Sequence, residues 1–310
     1  MLIEIFRSVR PRQWLKNLAL FAPLVFEGTL FSEGNILRLI QGFFVFCVLA
    51  SSIYLINDVV DIEHDKQHPF KKFRPIAMGS VPVPVALFIS IIGIVFALVF
   101  GYILSPYFLA ACIFYLILQL AYTFYLKNVI LLDVMVIAAG FLLRVYAGAL
   151  IVEAHVTVWF LLAVVCLSLF LAIGKRRSER TLLSGTSKIG VVRKTLKGYP
   201  NSLLDGLTMM FATATWLSYS MFTFLQPPIS GQSSKTLTLL SNFLPDTLTN
   251  TSKWLMLTIP FVIYGVMRYL YIIYEKREGE SPERVLLSDR PILVAIILWS
   301  LTVFAIIYVI

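Results

Sequence analysis

The chain has 310 residues, of which 59% are hydrophobic and 14% charged, with a mean hydropathy of +0.85 and a formal net charge of +9. A soluble domain carries about 25% charged residues, so this composition excludes one and predicts a single polytopic all-α membrane domain over 1–310. The basic residues lie in loops between apolar runs, which excludes nucleic acid as a partner and points to anionic lipid and phosphorylated substrates.

A spanning helix needs roughly 20 apolar residues. Nine segments qualify, at about 17–33, 36–57, 84–105, 107–126, 129–151, 157–174, 203–225, 254–274 and 291–309. The first follows Arg7, Arg10 and Arg12 and lacks a small-residue cleavage site, so it reads as a retained span and not a cleaved signal. Pro23 and Pro260 fall inside spans and are expected to kink them. The connection after residue 105 is short enough to predict a tight hairpin. Cys47, Cys112 and Cys166 each sit within an apolar run, so no disulfide framework is implied. Residues 226–253 are rich in Pro, Ser, Thr and Gly, and either carry a short amphipathic helix around Leu237–Leu244 or form a plain loop.

Lysine and arginine set the orientation. One side of a nine-span arrangement collects 21 of the 26 basic residues, from the N-terminal segment, the 58–83 loop, the 127–128 turn, the 175–202 loop and the 275–290 loop. The other side has Arg38, Lys235 and Lys253; Arg144 and Arg268 fall within spans. The N-terminus is therefore expected in the cytoplasm, the C-terminus outside, and the protein in the plasma membrane.

The second span ends in Asn57-Asp58-Val59-Val60-Asp61-Ile62-Glu63-His64-Asp65. Asp58, Asp61 and Asp65, at i, i+3 and i+7, would share one helix face. Like charges repel, and acids at a helix C-terminus oppose its dipole. Hard divalent cations prefer oxygen ligands, and Mg²⁺ usually brings substrate phosphates, so a metal–diphosphate site at a membrane face is the expectation. The alternative is a helix end whose acids pair with nearby lysines. An EF-hand is excluded, because the sixth-position glycine and the twelfth-position glutamate are missing.

Lys71, Lys72 and Arg74 follow closely. They are either ordinary cytoplasmic-side cations or phosphate clamps. Next come Tyr122, Lys127, Asp133 and Arg144. Asp133 and Arg144 lie inside a span, where charges face a cavity or a partner. Their separation corresponds to ~16 Å of helix, too far for a direct pair, so each needs another partner, in the protein or in a ligand. Lys175, Arg176 and Glu179 end the sixth span; the cations there are ordinary interface anchors, while Glu179 could add a ligand or orient Lys175. Glu280, Ser281 and Glu283 precede Pro291, which can open the ninth span with Ser288 or Asp289 near its cap. Nucleotide-binding glycine loops and Cys/His metal spacings are absent.

NDVVDIEHD after a long second span resembles the N-D-x-x-D-x-x-x-D motif of UbiA-type membrane prenyltransferases. More narrowly, RPRQWLKN at 10–17, HPFKKFRPIAMGSVP at 68–82, YTFYLKNVILLDVMVIAAGFLLRVYAGA at 122–149, AIGKRRSE at 172–179 and SPERVLLSDRPIL at 281–293 resemble decaprenyl-phosphate phosphoribosyltransferases. Aromatic prenyltransferases carry a second acid-rich motif; here Asp133 is the only acid at that place.

The resemblance implies a nine-helix UbiA-type bundle and transfer of 5-phosphoribosyl from 5-phosphoribosyl 1-diphosphate to a polyprenyl phosphate, on the way to lipid-linked arabinose. It implies Mg²⁺ on Asn57, Asp58, Asp61 and Asp65, with Asp58, Asp61, Lys127 and Asp133 catalytic. Lys16 and Asn17 would contact the donor. Lys71, Lys72 and Arg74 would meet a phosphate, Arg144 the acceptor, and Lys127 and Lys175 the departing diphosphate; Tyr122, Arg176 and Glu179 complete the substrate set. Two alternatives stand beside this: an aromatic polyprenyltransferase of the 4-hydroxybenzoate type, and a transporter, against which the placement of the acids at one membrane face argues. Prenyl length, metal count and oligomeric state, a homo-oligomer included, stay open.

Overall fold

The computed structural model describes residues 2–68, 70–183, 194–226, 251–276 and 282–309, and among these there are helices and no strands. The helix weighed around Leu237–Leu244 lies outside the described residues, as do Lys188, Arg193, Lys235, Arg277, Glu280 and Ser281. After a short helix α1 (Leu2–Ser8) and α2 (Ala22–Glu27), the bundle is built from α3 (Asn35–Val60), α5 (Val83–Leu104), α6 (Pro106–Phe124), α7 (Leu132–Val152), α8 (Val158–Leu183), α9 (Asn201–Leu225), α10 (Ile259–Tyr271) and α12 (Arg290–Phe304). Two short helices, α4 (Ile62–Gln67) and α11 (Pro282–Ser288), lie in connections.

Among the described residues, seven helical runs are long and apolar enough to cross a membrane, including Trp254–Glu275, which takes in α10 and its flanking turns. Two of the nine expected segments differ. The 17–33 segment is not one helix: a 3-10 helix, Pro11–Phe21, passes into α2, which stops at Gly28 in the left-handed region (φ 78). Pro23 opens α2, where it has no helical hydrogen bond to lose, and so does not kink a longer helix. The other is α9, long enough to span but rich in Ser and Thr. Its Thr208, Thr215, Ser218 and Ser220 hydroxyls donate to carbonyls one turn back, which satisfies them inside an apolar bundle.

The expected hairpin is present. Ser105 alone links α5 to α6, its Oγ accepting from the Phe108 amide, with Pro106 opening α6. Pro260 likewise marks the change from a 3-10 helix, Thr251–Thr258, to α10. Asp289 caps α12 and accepts from the Ile292 amide, with Pro291 in the first turn, and Arg268 of α10 grips its carboxylate.

One core, containing Leu20, Leu24, Phe46, Leu49, Phe108 and Tyr115, joins the 3-10 segment to α3, α6 and α7. A second, containing Phe26, Phe160, Tyr219, Phe222 and Val303, joins α2 to α8, α9 and α12. Gly148 allows α7 to touch the 3-10 segment backbone to backbone: a Cβ there would lie 1.9 Å from the Leu20 carbonyl oxygen. By contrast α5 turns Phe88, Ile91, Val95, Val99 and Ile103 outward, an apolar face suited to lipid.

Candidate active site

α3 stops at Val60, and Asp61 (φ −94°, ψ 7°) turns the chain into α4. The three aspartates therefore do not form a single stripe on a continuous helix. Asp58 and Asp65 are buried, and Arg74 bridges them, its Nη1 donating to Asp58 Oδ1 at 2.9 Å and Asp65 Oδ2 at 2.6 Å. Arg10 also donates to Asp58 Oδ1. Asp61 instead accepts from Lys127 Nζ at 2.5 Å. Asn57 donates to Asp61 Oδ2 at 3.2 Å and accepts from the Thr123 hydroxyl at 3.4 Å, which ties the end of α6 to the end of α3. The like charges are thus offset by side chains distant in sequence; the adjacent Lys66 pairs instead with Glu63.

The 68–74 turn is organised by His68, whose Nδ1 accepts from the backbone amides of Phe70 and Lys71 at 3.2 and 3.3 Å. Burial pushes the His68 pKa down to about 4; Lys71, Arg74 and Lys175 add to this, and Glu179 opposes it. His68 therefore stays neutral amid cations, and the loop after α3 comes within electrostatic reach of the end of α8. Burial raises the Asp65 pKa against the pull of Arg74. Lys72 is exposed, its ammonium 5.0 Å from the Phe73 ring centre.

A second network is more fully enclosed. Arg176 is buried and donates to Asp133 Oδ2 at 2.9 Å and Glu179 Oε2 at 2.8 Å. It is not an interface anchor: its helix position turns it into the bundle, where two carboxylates meet it. Tyr199 donates to the other Asp133 oxygen at 2.6 Å and accepts from the Leu131 amide at 2.7 Å. Leu131 sits at φ 68, so this latch holds a strained turn four residues beyond Lys127. Tyr122 lies within electrostatic reach of Arg176. Sequence reasoning did not select Tyr199; its only signal is its place just before Pro200, at the start of α9.

A third group is deeper. Arg144 is 4% exposed and donates to Asn17 Oδ1 (2.9 Å), the Gly140 carbonyl (2.8 Å) and the Tyr115 hydroxyl (2.6 Å). The faces of Phe46, Tyr115 and Phe141 surround its guanidinium. Asn17 is buried with it and donates to Cys47 Sγ at 3.1 Å. Arg144 and Asn17 thus meet each other, while Lys16 and Lys175 stay half-buried.

Carboxylate and amide oxygens are the hard ligands that Mg²⁺ takes, so the chemistry of Asn57, Asp58, Asp61 and Asp65 fits that ion. Among the described residues, no three His, Cys, Asp or Glu side chains converge into a ready-made metal cage. Guanidinium and ammonium groups supply the positive charge there.

The profile of the UbiA prenyltransferase family matches residues 19–230. The chain belongs to that family. Near-full-length relatives of this UbiA-family chain include the decaprenyl-phosphate phosphoribosyltransferase of Mycolicibacterium smegmatis, 36% identical over 98% of this chain and 92% of the relative. The enzyme of the same name from Mycobacterium tuberculosis H37Rv is 33% identical, over 96% of this chain and 92% of the relative. A UbiA homolog from Archaeoglobus fulgidus, solved with GPP and Mg²⁺ bound, superposes with a TM-score of 0.71 at 20% identity, over 98% of this chain and 99% of that one. That likeness establishes the fold.

Proposed function

We propose that this UbiA-family chain transfers 5-phosphoribosyl from 5-phosphoribosyl 1-diphosphate to a polyprenyl phosphate, releasing diphosphate. The carrying observation is identity of 32–36% to decaprenyl-phosphate phosphoribosyltransferases over nearly the whole chain. The sparse acids around Asp133 fit the same reading, because its carboxylate is spent on Arg176 and Tyr199. The product would feed arabinan assembly, as a precursor of lipid-linked arabinose.

The bond from ribose C1 to the diphosphate oxygen breaks, and the electron pair leaves with diphosphate. A bond from C1 to the acceptor phosphate oxygen forms. The acceptor is already an anion, so no strong base is required, and catalysis consists of positioning and charge stabilisation. Mg²⁺ held by Asn57, Asp58, Asp61 and Asp65 would offset charge on the leaving diphosphate. Lys127 and Lys175 share that load, while Lys71, Lys72 and Arg74 hold a phosphate. The prenyl tail lies against an apolar helix face open to lipid. A single displacement inverts C1, so the product is β-configured; a retained α configuration would contradict this step.

The basic residues support nine crossings, counting α9 and the Pro11–Glu27 segment, with the N-terminus and the site on the cytoplasmic side of the plasma membrane. Purified protein in detergent, given labelled donor, polyprenyl phosphate and Mg²⁺, is expected to make a labelled lipid. Prenylation of 4-hydroxybenzoate in place of that reaction would overturn the proposal.

A further inference from the structure

Three carboxylates of the site, Asp58, Asp61 and Asp65, meet three side-chain cations, Arg10, Arg74 and Lys127, so the charges cancel within the protein. Arg10 is the unexpected member. It sits at φ 55, ψ 63, in the left-handed region that L residues rarely adopt, and directly before Pro11, where compact backbone is further disfavoured. Its guanidinium lies 5.3 Å over the Tyr54 ring and shares Asp58 Oδ1 with Arg74. All three cations keep part of their surface open, with side-chain exposures of 23% for Arg10, 24% for Arg74 and 17% for Lys127.

We propose that Arg10, Arg74 and Lys127 are exchangeable counter-charges: they release the carboxylates to a divalent cation only when they can turn to the phosphates of the donor, so that metal and donor bind as a coupled pair and Arg10 becomes a donor-phosphate contact. This rests on the metal–diphosphate reading of the site. A divalent cation arriving alone meets carboxylates already neutralised by bonded guanidinium and ammonium groups. A phosphorylated donor arriving alone meets cations already committed to carboxylates. Arriving together, each satisfies what the other displaces, and the coupling is reciprocal by linkage. Arginine suits this role, since its planar fork fits carboxylate and phosphate oxygens alike.

The test uses the full chain in detergent and two binding assays. Mn²⁺ binding without donor is followed by electron paramagnetic resonance, and binding of labelled 5-phosphoribosyl 1-diphosphate with Mg²⁺ is followed separately. Arg10→Gln and Lys127→Gln are each expected to tighten Mn²⁺ alone and weaken donor binding, both by about tenfold, within the usual range for coupled sites. Arg10→Lys keeps the charge without the fork, and should hold Mn²⁺ affinity near the wild-type value, with donor binding between those of wild type and Arg10→Gln, while reporting on folding. A purely structural role would weaken both. Unchanged or weaker Mn²⁺ affinity in the glutamine variants overturns the exchange. Adding Asp58→Asn to Arg10→Gln separates the two failures. Loss of Mn²⁺ there, with no tightening in Arg10→Gln itself, sinks the exchange alone. Mn²⁺ binding indifferent to Asp58→Asn sinks the metal site with it.

Discussion

Two charged networks, a partly open front one and an enclosed rear one, differ in how firmly they are closed. In the front network, Asp58, Asp61 and Asp65 meet cations that come from separate elements and remain about a fifth exposed. In the rear network, Asp133 and Arg176 have side-chain exposures of 0% and 2%, and Tyr199 and Glu179 take their remaining valences. An ion pair shielded from water must be complete, because a stranded charge is costly. In the front network Asp58 and Asp65 are buried but their cations stay partly open to water, so a ligand can replace one partner. The front network has the form of a binding site, and the rear one of a brace that holds the turn carrying Lys127.

This contrast predicts different failures. Asp58→Asn should lower transfer by about 10²–10³-fold or more, the usual scale for a lost charge-stabilising group, with little change in thermal midpoint. The measurement is labelled-lipid formation beside a melting curve in detergent; near-wild-type transfer would remove Asp58 from the chemistry. Arg176→Met should do the reverse in kind. It strands two buried acids and should cost about 3–5 kcal/mol of stability. Combining Arg176→Met with Asp133→Asn and Glu179→Gln should recover part of that loss; a triple variant no more stable than the single one would show that the brace is not held by charge pairing.

The sequence makes the front motif legible and leaves its partners hidden. Asn57 through Asp65 stand out as acids ending an apolar run, and their spacing suggests one helical face. The break at Asp61 is invisible in that pattern, as are the contacts of Asp61 with Lys127 and of Asn57 with Thr123. Arg10 reads as one of several N-terminal cations; its pairing with Asp58 across forty-eight residues is a tertiary fact. Arg144 and Asp133 were identifiable as intramembrane charges in need of partners. Those partners, Asn17 with Tyr115 and Arg176 with Tyr199, come from other elements and carry no local signal. Length and hydropathy place most of the helices, but they merge the end of the Pro11–Phe21 3-10 helix with α2, since Leu18–Phe21 is apolar too and only backbone geometry distinguishes them.

Smaller effects test the packing between the networks and the first helices. Gly148→Ala puts a methyl carbon against the Leu20 carbonyl, where only a backbone shift can make room, and should cost about 1–3 kcal/mol. Because the Pro11–Phe21 segment carries Arg10 at its start and Asn17 within it, the shift should also loosen Arg10 from Asp58. Weakened donor binding at a temperature where the variant is fully folded would show this; unchanged binding would mean that the segment moves as a rigid unit.

The pH dependence belongs to His68, and it has a definite sign. Burial, helped by Lys71, Arg74 and Lys175, holds the imidazole neutral in the folded protein, with a pKa of about 4 against 6.5 for the free side chain, and its Nδ1 accepts two backbone amides. A group whose folded pKa is lowered contributes stability above the unfolded value and loses it as pH falls towards the folded one. Wild-type protein should therefore lose stability progressively between about pH 6.5 and 4, because the unfolded chain gains a proton there that the folded chain refuses. His68→Gln, which cannot titrate but offers a carbonyl acceptor, should flatten that part of the curve and keep the Lys71–Phe73 turn. His68→Ala should flatten it too, but should also raise the donor KM by freeing the turn that presents Lys71 and Arg74. Thermal midpoints measured across that pH range, with donor KM at neutral pH, separate the two roles; an unchanged slope in both variants would show that the His68 proton is not linked to folding.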